Sequence, residues 1–107
     1  MVRGAIHIMQ SHLDKPLRLT EINKKLGWNL THFKIIFKDE VGVTPAEYYL
    51  HERLRKASSL IEQTPLSVKE VAYQLGFRYR QNFTSTFKRI IGFSPKKYRA
   101  MKRPAKS

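Results

Sequence analysis

One pattern of residues runs through this chain twice. Leu17, Glu21, Leu26 and Gly27 recur as Leu66, Glu70, Leu75 and Gly76, 49 positions later. After one inserted residue, Phe33, Phe37, Lys38, Gly42, Pro45 and Tyr48 recur as Phe83, Phe87, Lys88, Gly92, Pro95 and Tyr98, at an offset of 50. Whatever the chain folds into must use one local structure twice, over residues 17–49 and 66–98. Each copy reads as a short helix, a glycine-aromatic turn, a second helix and then Gly-x-Thr/Ser-Pro.

Around the repeat the apolar spacing is helical throughout. Val2, Ile6, Met9 and Leu13 draw one stripe. Asp14-Lys15-Pro16 marks its expected end, because a residue before proline is pushed out of the helical region. Leu19, Ile22 and Leu26 form one face of a short helix that stops at Gly27, a natural left-handed cap. Asn29 is a good N-cap for the next helix, whose inward positions are Phe33, Ile36, Phe37 and Val41, with Gly42 at its end. In Thr44-Pro45-Ala46-Glu47, Thr44 can cap, Pro45 suits the first helical position and Glu47 completes a capping box. The helix it opens is expected to reach about Glu62, with Leu50, Leu54, Ala57 and Ile61 on one stripe. At roughly 18 residues it spans about 27 Å, a stiff connector with no Gly- or Ser-rich linker beside it. Ser67 and Glu70 make a second capping box, opening a helix through Val71, Ala72 and Leu75 to Gly76. A helix from about Tyr79 to Ile91 buries Phe83, Phe87 and Ile90, and Ser94-Pro95 starts the last one. From Met101 onward a basic tail is expected.

The expected fold is therefore all-α, with about seven helices and no strand. Two helix-turn-helix subdomains, 1–44 and 63–107, are joined by a connecting helix over 45–62, the second subdomain ending in the basic tail. Such a unit lays its second helix in a DNA major groove. Two units on one stiff chain reach adjacent groove openings when they lie one helical turn, about 34 Å, apart.

Charge points the same way. Basic residues number 21 against 8 acidic, a formal charge of +13, and such an excess on a small folded domain fits a polyanionic partner. From Val71 to Ser107 there are ten Lys and Arg and no Asp or Glu. With 41% hydrophobic residues the chain can still bury a core. Cysteine is absent, which excludes disulfides and thiolate chemistry. No apolar run approaches a membrane span and no signal-like stretch follows Met1, so a cytoplasmic protein without membrane partners is expected.

The second copy carries the most specific signature: Ala72, then Leu75-Gly76-Phe77, Asn82-Phe83, Phe87-Lys88, Gly92-Phe93-Ser94-Pro95 and Tyr98-Arg99. With the Arg53–Ala57 spacing upstream, the chain resembles the DNA-binding domain of the AraC/XylS family of bacterial transcription regulators over nearly its whole length. The resemblance implies a monomer that reads a non-palindromic double-stranded DNA site with two helices, and RNA polymerase as a further partner. Many members of that family carry a sensor or dimerisation domain N-terminal to this unit, and the sequence is compatible both with a whole protein and with the C-terminal part of a longer one.

By that resemblance, Thr31, Lys34 and Ile35 match base-contacting positions in the first recognition helix. Lys34 suits guanine O6 or N7, while Ile35 and the Thr31 methyl suit thymine methyls. Ile36 fits the Phe33/Phe37 face better than Ile35 does, so Ile35 is expected outside. In the second helix Arg80, Gln81, Thr84 and Ser85 match the contacting face. Arg80 suits guanine or phosphate, Gln81 pairs with adenine, and Ser85 is short enough to read weakly or through water. Asn29, Lys38, Arg78, Lys88 and Arg89 are placed for phosphate, with Lys24 and Lys25 beside them. Tyr79 stands where relatives carry a small capping residue, which weakens the start of that helix.

Other constellations fail on inspection. His7, His12, His32 and His51 show no i, i+3 or i, i+4 pair, so no metal site is expected, and no cofactor. Glu21 and Glu70 repeat at matching sites but read as first-turn residues favoured by the helix dipole. Trp28 and Phe77 read as core aromatics behind the turn. No catalytic motif is present and no enzyme is expected. The alternative is a nonspecific cationic module for RNA or anionic membrane, against which the regular caps and turns of a packed fold argue.

Overall fold

The computed structural model describes residues 2–103, which form seven α-helices and no strand. They are α1 (Val2–Ser11), α2 (Leu19–Leu26), α3 (Leu30–Val41), α4 (Pro45–Gln63), α5 (Val68–Gln74), α6 (Arg80–Ile91) and α7 (Pro95–Lys102). The chain divides into two compact units, Met1–Glu52 and Arg53–Ser107, and the division falls inside α4.

In the first unit Val2, Ala5 and Met9 of α1, Ile22 of α2, Phe33 and Phe37 of α3 and Tyr49 of α4 make the core. The α1 stripe is thus Val2–Ala5–Met9, with Ile6 only partly buried. The helix ends at Ser11, before the expected Asp14–Pro16 stop. Side chains end it early: Ser11 Oγ donates to His7 O at 2.9 Å, and His12 Nδ1 lies 2.9 Å from Ile8 O. Leu13 follows the helix but still packs on the core. In the early half of α4 Tyr49 is buried and Leu50 only half-buried. The Tyr49 hydroxyl donates to His12 O at 2.6 Å and accepts from Leu17 N at 3.0 Å, so it stitches both ends of the α1–α2 loop.

The turn between α2 and α3 follows the sequence closely. Gly27 takes φ 73°, where a Cβ is strained, and its N–H reaches Asn23 O at 2.9 Å. The buried Asn23 side chain donates to Trp28 O, and Asn29 Oδ1 accepts from His32 N at 3.1 Å to cap α3. Behind the turn a row of aromatic rings, Trp28, Phe33, Phe37 and Tyr48, meets edge to face at centroid separations of 6.3, 5.7 and 5.6 Å.

The second unit begins with the later half of α4, whose Leu54, Ala57 and Ile61 are fully buried. Their spacing is that of Val2, Ala5 and Met9 on α1. The earlier half carries Pro45, Tyr48 and Tyr49, counterparts of Pro95, Tyr98 and Arg99 on α7. One helix therefore closes the first unit and opens the second. Ser67 caps α5 reciprocally: its Oγ accepts from Glu70 N at 3.0 Å, and its N–H donates to Glu70 Oε1 at 3.1 Å. Gly76 takes φ 78° in the turn, and Arg53 donates to Leu75 O with its guanidinium 4.8 Å from the Phe77 ring centre. The aromatic row repeats as Phe77, Phe83, Phe87 and Tyr98, at 5.2, 5.7 and 5.6 Å.

Helix α7 outruns the sequence expectation. It continues through Met101 to Lys102, and Arg103 folds back to donate to Glu62 O and Thr64 O. Arg99 makes a second clasp on the same segment, donating to Ile61 O at 2.9 Å, Thr64 O at 3.3 Å and Leu66 O. These bonds hold a segment that would otherwise begin the tail; the rest of the expected tail lies outside the described residues.

Candidate nucleic-acid interface

Each recognition helix is oriented by its phenylalanines. Phe33 and Phe37 anchor α3, and Phe83 and Phe87 anchor α6, all four with no exposed surface. A helix pinned on one side must present the opposite side outward. On α3 this leaves Thr31, Lys34, Ile35 and Lys38 exposed, with Ile35 at 64%. A β-branched apolar side chain held that far into water is not core packing. On α6 Arg80, Gln81 and Ser85 are exposed and Thr84 is half-buried. Asn29, Arg78, Lys88 and Arg89 are exposed as well.

Thr84 is half-buried because it shares a depression of about 380 Å³ with Arg80, Val68, Ser94, Pro95 and Lys96. The starts of α5 and α7 thus meet the outer face of α6, and Lys96 joins Arg80 there. Lys96 is not among the residues expected at the interface; its signal in sequence is a basic first turn immediately after the Ser94-Pro95 start. On α3 a hollow is lined by Ile35, Lys38 and Asp39, the last also outside the expected set. On α2 Lys24 and Lys25 line a third hollow with Glu21.

The two recognition helices start differently. Asn29 gives α3 a side-chain cap, whereas Tyr79 gives α6 none. The Tyr79 ring is 56% exposed and the Arg78 guanidinium lies over it at 5.6 Å. First-turn N–H groups of α6 are therefore not served by the capping residue's side chain.

His51 Nε2 faces Glu47 Oε1 at 3.1 Å on the surface of α4, one turn apart. No group of three or more His, Cys, Asp or Glu is placed to hold a metal among the described residues. No helix there is long and apolar enough to cross a membrane. Glu70 has its carboxyl held below the ordinary value of 4.5, chiefly by the Ser67 backbone N–H and then by the Ser67 side chain, a capping effect and not a reactive one.

Two helix-turn-helix units with polar outer helix faces, basic on α6 and charge-balanced on α3, define a DNA-binding class of module. The helix-turn-helix domain family model matches residues 22–101. The chain is 36% identical over 98 residues to the HTH-type transcriptional regulator YtdP of Bacillus subtilis, covering 92% of this chain and 13% of that protein. Its fold is similar to that of an AraC-type transcriptional regulator from Chromobacterium violaceum, with a TM-score of 0.89, 28% identity and coverage of 97% and 94% of the two chains. It is also similar to the DNA-binding domain of AdpA, a global transcriptional factor solved in complex with a target DNA, with a TM-score of 0.87, 25% identity and coverage of 98% and 97%. The chain belongs to the AraC/XylS family of helix-turn-helix DNA-binding domains, which serve transcription regulation and are not enzymes. It spans well under half the length of the curated relatives it matches.

Proposed function

We propose that this chain is the DNA-reading part of a transcription regulator, a monomer that sets α3 and α6 into adjacent major-groove turns of one asymmetric site of roughly 20 base pairs. The observation that carries this reading is one scaffold, repeated down to its aromatic row, presenting two different outer faces. On α3, Lys34 donates to guanine, while Ile35 and the Thr31 methyl pack on thymine methyls. On α6, Gln81 pairs with adenine and Arg80 with guanine or phosphate, flanked by Thr84 and Ser85. Asn29, Lys38, Arg78, Lys88 and Arg89 take the phosphates that set the register. Unlike faces read unlike half-sites, so no second copy of the chain is needed. The AdpA domain, of similar fold and bound to its target DNA, supports this reading.

Selection of bound duplexes from a random pool tests it. The expected motif is non-palindromic, with one chain per minimal site; a palindrome or two chains per site would sink the proposal. On the selected duplex, Lys34→Ala and Gln81→Ala should each cost about 1–3 kcal/mol and relax preference locally. Lys88→Ala should weaken all sequences alike and make the salt slope shallower by about one unit.

A further inference from the structure

We infer that Asp39 is a specificity-determining residue, whose carboxylate keeps the first recognition helix from holding DNA by charge alone and leaves nonspecific attachment to the second unit. The inference rests on the proposed DNA-reading role of α3 and α6.

Charge is divided very unequally between the two units. Residues 1–52 hold seven basic and six acidic residues, a balance of +1. Residues 53–107 hold fourteen basic and two acidic residues, a balance of +12. Three of those fourteen, Arg53, Arg99 and Arg103, donate to backbone carbonyls of their own unit. That still leaves exposed cations on α6, Arg80 and Lys88 among them. Nonspecific affinity for duplex DNA is set almost wholly by phosphate neutralisation. The second unit can supply it and the first, nearly neutral, cannot.

The repeat shows where the difference bears on the groove. Lys38 corresponds to Lys88, but the next position is Asp39 in the first copy and Arg89 in the second. Asp39 is exposed and shares its hollow with Ile35 and Lys38, so it lies on the outer face of α3, opposite the buried phenylalanines. It also lies in the last turn of α3, where the helix dipole disfavours an anion and favours a cation such as Arg89. Stability therefore gives no reason for an acid at this place. Recognition does. A carboxylate there is repelled by phosphate in any misplaced register, yet accepts a hydrogen bond from a cytosine N4 amino group in the correct one. It subtracts from every complex and returns something only in the matched one.

The test uses the full chain and two probes: a random-sequence duplex and the duplex that the wild-type chain selects from a random pool. Asp39→Arg should tighten binding to the random duplex about tenfold at low salt and steepen its salt slope by about one unit. Its preference for the selected duplex should shrink by a similar factor. Asp39→Asn should fall between wild type and Asp39→Arg on the random duplex, and Arg89→Asp should weaken both probes together. Thermal melting controls for folding, and Asp39→Arg should melt no lower than wild type. If Asp39→Arg leaves the random duplex unaffected, or tightens both probes equally, the inference is overturned while the DNA-reading proposal stands. If the wild-type chain prefers no duplex over random sequence, both fall.

Discussion

Residue 49 of the first unit is tyrosine and its counterpart in the second, residue 99, is arginine, yet both reach back to the loop that precedes the helix-turn-helix. Tyr49 bonds His12 O and Leu17 N through one hydroxyl. Arg99 bonds Ile61 O, Thr64 O and Leu66 O through its guanidinium. Leu17 and Leu66 are themselves counterparts. What the copies share is a backbone problem, polar loop groups shielded from water by the packed helices around them, and not the side chain that solves it. The last three rings of each aromatic row behave oppositely, Phe-Phe-Tyr at the same spacing in both, because filling a core at close packing tolerates little change of shape. The caps diverge as well: Asn29 against Tyr79, Arg18 against Ser67.

Core symmetry makes the largest predicted effect. Phe37→Ala and Phe87→Ala each remove a fully buried ring that touches two other aromatics, and each should cost about 3–5 kcal/mol. Urea unfolding measures both. A cost at one site of less than about half that at the other would break the equivalence of the two cores.

The loop clasps come next. Arg99→Ala strips three carbonyls of a charged donor and should cost about 2–3 kcal/mol. Tyr49→Phe keeps the ring but strands a part-buried carbonyl and N–H, and should cost about 1–2 kcal/mol. Hydrogen exchange should show faster opening at Leu17 in Tyr49→Phe and of the Thr64–Leu66 loop in Arg99→Ala. Uniform opening of the whole chain in either variant would mean the clasp is not local.

Capping sharpens the contrast between the recognition helices. Asn29→Ala removes a formed cap and should cost about 1 kcal/mol, whereas Tyr79→Asn supplies a missing one and should gain up to about 1 kcal/mol. A shift of melting temperature in the same direction for both would show that Tyr79 is held there by something other than helix initiation.

Most of the scaffold is legible in the sequence because its helices end at strong chemical signals. Gly27, Gly76, Asn29, Ser67 and Ser94 all take the capping and turn roles their types imply. The misses have common causes. Tyr49 and Leu50 are adjacent and both fit an apolar stripe; the choice between them rests on loop groups 32 and 37 residues away, which periodicity does not register. The early end of α1 goes with Ser11 and His12 competing for carbonyls, a weaker signal in sequence than Pro16. The stripe of Leu54, Ala57 and Ile61 was seen, but its likeness to α1 emerges only when burial shows Ala5 rather than Ile6 facing in. On the interface, the exposed face of each helix followed from its phenylalanines. Lys96 did not, because it comes to share a depression with Arg80 through the packing of α7 near α6.

The smallest effect concerns the first helix of each unit. Glu70 receives the Ser67 N–H and sits above a serine that caps in return, and its carboxyl is held below 4.5. Glu21 receives the Arg18 N–H at 3.4 Å, but arginine has no acceptor with which to reciprocate. A carboxyl whose folded value is depressed adds stability fully above its unfolded value and loses it as the pH falls through the folded one. Glu70→Gln keeps the shape and a hydrogen-bond acceptor but not the charge. Wild type should therefore melt higher than Glu70→Gln near neutral pH, and the gap should close as the pH falls through roughly 4.5 and below. For Glu21→Gln the loss near neutral pH should be smaller, because the longer, one-sided bond orders the side chain less. Melting curves from about pH 3 to 7 decide it: a Glu70 gap that stays constant into acid would mean that packing, and not the charge of the box, separates the two helices.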